Sequence, residues 1–121
     1  MSPQTTNNLQ DRLEDLFSYI REGRILDAIN EFYAEDAAMQ ENNESPTVGR
    51  DANLEREKRF LSTVKEWKRF DVTAKGIGEN VTFYETVMDW VATNGTPVHV
   101  EQAMVAKWQD GRITRERFYH N

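Results

Sequence analysis

Four acidic residues and one histidine stand where their chemistry would matter: Glu41, Glu85, Asp89, Glu116 and His120. Each acid interrupts a stretch of apolar neighbours, so each faces either a low-dielectric pocket or the water at a pocket's rim. Inside a pocket, desolvation and mutual repulsion raise some carboxyl pKa values, which sets an acid beside a base, with His120 as a proton shuttle. At a rim the same acids are solvated or pair with Arg and Lys of a nearby helix. Both readings stay open at this level. Trp67, Trp108 and Phe118 divide in the same way, as faces for a flat ligand or as ordinary core. The chain has 2 histidines and no cysteine. No H-x-H or H-x-x-x-H spacing occurs, so no metal site is expected. His99 reads as a cross-strand neighbour of Trp90. With no nucleophile elbow, Walker-type loop or dinucleotide glycine pattern, no cofactor is expected either.

These residues need elements to position them. Residues 1–6 have nothing to bury and read as a tail. From Asn8, a candidate N-cap, Leu9, Leu13, Leu16, Phe17 and Ile20 recur at helical spacing until Gly23. A second helix follows in ILDAINEFYAE, and Ala37 to Glu41 then alternate as a short strand with Met39 and Glu41 on one side. Asp51 is the candidate cap of a third helix, DANLEREKRFLSTVKEW, whose stripe is Leu54, Leu61, Val64 and Trp67 and whose charge run is a solvated face. Everything after Trp67 reads as a four-strand antiparallel meander. One α+β domain over residues 1–121 is expected, with three N-terminal helices against one sheet face.

Asn94-Gly95 predicts a two-residue type I′ hairpin that pairs Thr93 with Thr96. Counting back puts Glu85, Asp89 and Gln102 on one face with Val87, Val91, Val98, Val100 and Met104. Carboxylates without partners are costly under packed helices, so that face is expected to line a cavity. The opposite face carries Tyr84, Met88, Trp90, Ala103 and Val105 with no element left to cover it, and reads as a homodimer contact. At Gln109-Asp110-Gly111 a three-residue loop with a Gly bulge brings Thr114, Glu116, Phe118 and His120 to the cavity. A two-residue loop brings Ile113, Arg115, Arg117 and Tyr119 instead.

The stretch FYAEDAAMQENNESPTVGRD, its two-helix entry and the late W-x-x-G-R-I turn resemble the SnoaL-like members of the nuclear-transport-factor-2-like superfamily. The resemblance covers nearly the whole chain. It implies a cystatin-like cone, a curved antiparallel sheet wrapped around three helices, open at one end and usually dimeric through the sheet's outer face. Because this fold hosts isomerases, cyclases, hydrolases, dehydratases and non-catalytic modules, it speaks for architecture more than reaction. By resemblance, the isomerase base falls at Glu41, the oxyanion-donating Tyr at Phe17, and the protonated Asp near Met104. The last two cannot donate to an enolate, so ketosteroid isomerisation itself is not expected. The cyclase His-x-Asp pair falls at Glu116 and Phe118.

The balance of 15 Lys and Arg against 21 Asp and Glu leaves a net charge of −6. Such a chain repels nucleic acid. No leader and no apolar run long enough to span a bilayer is visible, so a cytoplasmic protein without membrane partners is expected. The reading is a dimeric binder of a small, mostly apolar molecule. Its acid/base candidates are Glu41, Glu116 and His120. Phe17, Met39, Trp67, Glu85, Asp89, Gln102, Met104, Trp108 and Phe118 are its expected lining. A non-catalytic ligand-carrying or interaction module is the alternative.

Overall fold

The first helix ends where its sequence says it must. Gly23 sits at φ +78, Arg24 N–H donates to Tyr19 O at 2.8 Å and Gly23 N–H to Ile20 O at 2.9 Å, which closes a Schellman motif that a Cβ would strain. In the computed structural model, which describes the backbone of residues 2–121 and the side chains of residues 9–121, the elements follow in order. They are α1 (Ser2–Arg21), α2 (Ile25–Phe32), β1 (Tyr33–Glu41), β2 (Thr47–Val48), α3 (Arg50–Leu61), β3 (Val64–Gly78), β4 (Val81–Ala92), β5 (Pro97–Gln109) and β6 (Arg112–Tyr119). Among the described residues no helix is long and apolar enough to cross a membrane.

Several bounds differ from the expectation. The chain is helical from Ser2, where a tail and then an Asn8 cap were expected. Pro3 falls in the first turn, where its missing N–H costs nothing. Helix α2 stops at Phe32, and Tyr33 already has extended backbone as the first residue of β1. Helix α3 is capped by Gly49, with Asp51 in its first turn, and ends at Leu61 rather than Trp67. The hydroxyls of Ser62 and Thr63 bond back to Arg59 O and Phe60 O, both at 2.6 Å, and so satisfy the last carbonyls and stop the helix. Val64 and Trp67 belong to β3.

The six strands form one curved, unclosed sheet in the order β2-β1-β6-β5-β4-β3. The meander β3 to β6 is antiparallel, as expected, but β1 joins β6 in parallel, with Met39 beside Glu116 and Glu41 beside Phe118. The helices cover the concave face. Leu13, Leu16, Phe17, Phe32 and Ile113 are all but sealed from water at the centre of the core. At about 1.5–3 kcal/mol for each such side chain, this cluster is a main source of the fold's stability. Asn53 ties α3 to the sheet: its buried amide donates to Ala37 O, Thr47 O and Gly49 O at 3.2, 3.1 and 2.9 Å.

The β4–β5 hairpin corrects the expected register by one residue. Asn94 does not adopt the positive φ that a type I′ turn needs at both central positions; only Gly95 does, at +88. The loop therefore holds Thr93, Asn94 and Gly95, Ala92 N–H bonds to Thr96 O, and Trp90 pairs with Val98 where His99 was expected. Since side chains alternate, that single step exchanges the two faces of β4. At the next turn Asp110 and Gly111 both have positive φ, 54 and 79, so this is the two-residue loop. A bulge between Lys107 and Trp108 in the β5–β6 ladder then shifts the register. Ile113, Glu116 and Phe118 all face inward as a result.

Candidate functional site

Between the concave sheet face and the three helices lies a cavity of about 350 Å³. That is within the usual range for small-molecule sites. One end is aromatic. Trp67 of β3 and Trp90 of β4 are cross-strand partners with rings stacked at 5.7 Å and 22°, and Phe60 of α3 meets Trp90 edge-on at 5.2 Å. Trp67 is held there because its Nε1–H donates to Ile20 O at 3.0 Å, the carbonyl at the end of α1 that also accepts from Gly23 N–H. Met88, Phe70, Val100 and Met104 continue the apolar wall.

Among the described residues the acidic and basic lining is Glu41, Arg56, Glu57 and His120, with the phenols of Tyr33 and Tyr84 beside them. Glu41 ends β1, accepts from His120 Nε2 at 2.6 Å on Oε1, and forms an ion pair with Arg56 Nη2, 2.9 Å from Oε2. His120 is brought to it by Asn42, whose N–H bonds to Phe118 O at 2.8 Å and whose Oδ1 takes the His120 N–H at 3.0 Å. The other ring nitrogen, Nδ1, lies 3.0 Å from Asn121 O. The Asn121 carbonyl, then Glu41, raise the His120 pKa, and with an acceptor at each nitrogen the ring favours its doubly protonated form. Glu57, half-buried on α3, is pushed up by desolvation, against the pull of Arg56 and with a further push from Glu41.

Behind this cluster Glu116 is wholly buried. The Tyr33 hydroxyl donates to its Oε1, while Oε2 has no partner among the described residues. Desolvation lifts the Glu116 pKa to about 7; the Tyr33 hydrogen bond opposes the rise, and Glu57 and Glu41 add to it. Burial likewise drives the Tyr33 and Tyr84 phenols well above their usual value. The site thus joins an ion-paired carboxylate, an imidazole biased toward its cation, and two carboxyls shifted toward neutrality. Such a set can donate and accept protons near neutral pH without a metal.

Of the expected lining, Met39, Glu41, Trp67, Gln102, Met104, Phe118 and His120 face the cavity. Phe17 and Trp108 do not: Phe17 packs edge-on against Tyr84 at 4.8 Å, and Trp108 donates from Nε1 to Thr82 Oγ1 at 2.9 Å within the solid core. Glu116 stands one side chain back, behind Tyr33. Glu85 and Asp89 point outward, because the one-residue register change puts them on the convex face. There His99 is the partner of Asp89, not of Trp90, with Nδ1 at 2.7 Å from Asp89 and Nε2 at 2.9 Å from Glu101. By the same exchange Tyr84, Met88 and Trp90, expected at a subunit contact, are part of the interior, and only Ala103 and Val105 of that patch stay outside. Arg56, Glu57 and Tyr33 were not anticipated. A signal existed for Glu57, which falls three residues after Leu54 and four before Leu61, on the apolar stripe of α3.

Similarity to other proteins follows the same architecture. An NTF2-like protein of unknown function from Burkholderia pseudomallei superimposes with a TM-score of 0.81 at 12% identity, covering 94% of this chain and 91% of that one. A proposed polyketide cyclase from Xanthomonas campestris pv. campestris gives 0.77 at 23% identity, covering 96% and 92%. TerC, co-crystallised with polyporic acid, gives 0.79 at 11% identity, covering 94% and 92%. No curated protein matches the chain. The profile of the SnoaL-like domain matches residues 4–120, from α1 to the histidine that meets Glu41, and this chain therefore belongs to the SnoaL-like family.

Proposed function

We propose that the chain binds a small, mostly apolar molecule in this cavity and performs cofactor-free acid/base chemistry on it, of the isomerase, cyclase or hydro-lyase kind, as a cytoplasmic homodimer. The observation that carries the reading is the lining itself: apolar and aromatic walls with the described acidic and basic groups, Glu41, Arg56, Glu57 and His120, in one cluster. The relative co-crystallised with polyporic acid supports a small molecule as occupant of such a fold. Glu41 is the base. Both its oxygens are engaged, so taking a substrate proton requires Arg56 or His120 to turn away. The displaced cation then faces the negative charge that develops on the substrate, where it stabilises the transition state. Glu116 acts through Tyr33 as a positioning residue. Ketosteroid isomerisation is not proposed, since Phe17 and Met104 offer no hydrogen to an enolate.

The engagement of both Glu41 oxygens also favours a second reading, a carrier in which the ion pairs only seal the cavity. Mass spectrometry of molecules released on denaturing the purified protein identifies the occupant, and turnover of that molecule separates the two readings. Glu41→Gln should preserve fold and binding and slow turnover by at least roughly a hundredfold. Binding without turnover in the unmodified protein makes it a carrier.

A further inference from the structure

The two cations of the lining are both engaged by one acid: Glu41 holds Arg56 at 2.9 Å and His120 at 2.6 Å. Glu57 is left over. Among the described residues neither an ion pair nor a hydrogen bond reaches its carboxyl, although it borders the cavity and is half-buried. Phe60 follows it by one helical turn, on the same side of α3, and carries the wall on to the stacked pair Trp90 and Trp67. Glu116, fully buried with Oε2 unpartnered, adds a further acid close behind. Glu57 is therefore the lining carboxyl left without a counter-ion among the described residues, and aromatic faces lie beside it.

We propose that Glu57 anchors a cationic head group, and that the occupant is a small amphipathic amine whose ammonium pairs with Glu57 while its apolar body lies along Phe60, Trp67 and Trp90. The inference rests on the small-molecule reading above and names the chemical class of that molecule. An ammonium gains an ion pair away from bulk water together with attraction to the aromatic faces. A carboxylate head would meet Glu57 and Glu41 and find Arg56 already paired. A neutral carbonyl would gain a hydrogen bond from the lining but no ion pair, and would leave Glu57 without a counter-charge. The chain's net charge of −6 also favours the approach of a cation.

Pairing requires Glu57 to ionise. Burial raises its pKa in the free protein, so amine binding releases a proton, and affinity rises with pH until Glu57 is ionised without help. The charged groups facing it are Glu41 from β1, Arg56 from its own helix and His120 beyond β6, with Glu116 behind; α2 presents only Ile25, Ala28 and Ile29. His120 and Glu116 titrate with the same sign, and a Glu57 variant isolates the contribution of Glu57.

Calorimetric titration with three probes of one ring system, naphthylmethylammonium, acetonaphthone and naphthoate, tests the proposal on the full chain. At about pH 8 the ammonium should bind at least about tenfold more tightly than the ketone, with naphthoate weakest. Glu57→Gln should abolish that preference and flatten its pH dependence. Glu57→Asp should restore part of it. If the ketone or naphthoate matches the ammonium, or Glu57→Gln keeps the preference, the amine assignment is wrong and the cavity reading stands. If none of the three binds, both are overturned.

Discussion

Glu116 is a carboxyl with one partner where it has room for two, and that asymmetry has a thermodynamic consequence. Its folded pKa of about 7 lies above the ordinary 4.5, so the folded state holds a proton that the unfolded chain gives up. Stability should fall as pH rises from about 4.5 to about 7 and level off above, by up to about 3 kcal/mol. Glu116→Gln still accepts the Tyr33 hydrogen bond and cannot ionise. Urea unfolding at pH 5 and pH 8 should therefore show a larger loss in the unmodified protein than in the variant, which keeps the contributions of Glu57 and His120; equal losses would mean that Glu116 contributes none of it. At this scale Glu41 was placed by the strand parity around Met39, which depends on no loop, whereas His120 reaches the cavity because the bulge between Lys107 and Trp108 offsets the parity of the two-residue loop. Glu57 was hidden among the charges of EREKR, although its place on the apolar stripe set it apart.

The elements show how much a single loop residue decides. The helices, the meander and the two faces of the sheet follow from periodicity, but their assignment to inside and outside depended on whether Asn94 takes a positive φ, which composition does not reveal. Trp90 accordingly belongs to the aromatic end of the cavity and is only 9% exposed. Trp90→Glu should unfold the chain, a loss of near-ultraviolet circular dichroism, where a surface tryptophan would leave the spectrum unchanged. Asn53 is the matching feature of α3. Sequence reasoning passed over it because an asparagine between charged residues looks solvated. Asn53→Ala removes the side-chain donor shared by three carbonyls, of which Ala37 O and Gly49 O keep a backbone N–H, and should cost about 1–3 kcal/mol in denaturant unfolding. A change below a few tenths would mean that water replaces the amide.

For the molecule as a whole, the convex face is where the proposed dimer would form, with a membership different from the expected one. Phe83 is 45% and Tyr119 42% exposed there, with Val105 and Ala103 between them. Glu85, Asp89 and Glu101 gather on one side of this band and Lys107, Arg115 and Arg117 on the other. A two-fold axis through the band would bring unlike charges together. Phe83→Glu should then shift the sedimenting species from dimer to monomer without disturbing the cavity, and a variant that sediments like its parent would remove this face from consideration. The parallel pairing of β1 with β6 bears on time rather than space. The meander is assembled from neighbours in sequence, whereas β1 must close a long loop to reach β6, and such closures come late. Glu41 and His120 sit at the ends of those two strands, so the contact between them would form only once β1 has reached β6, after the meander is in place.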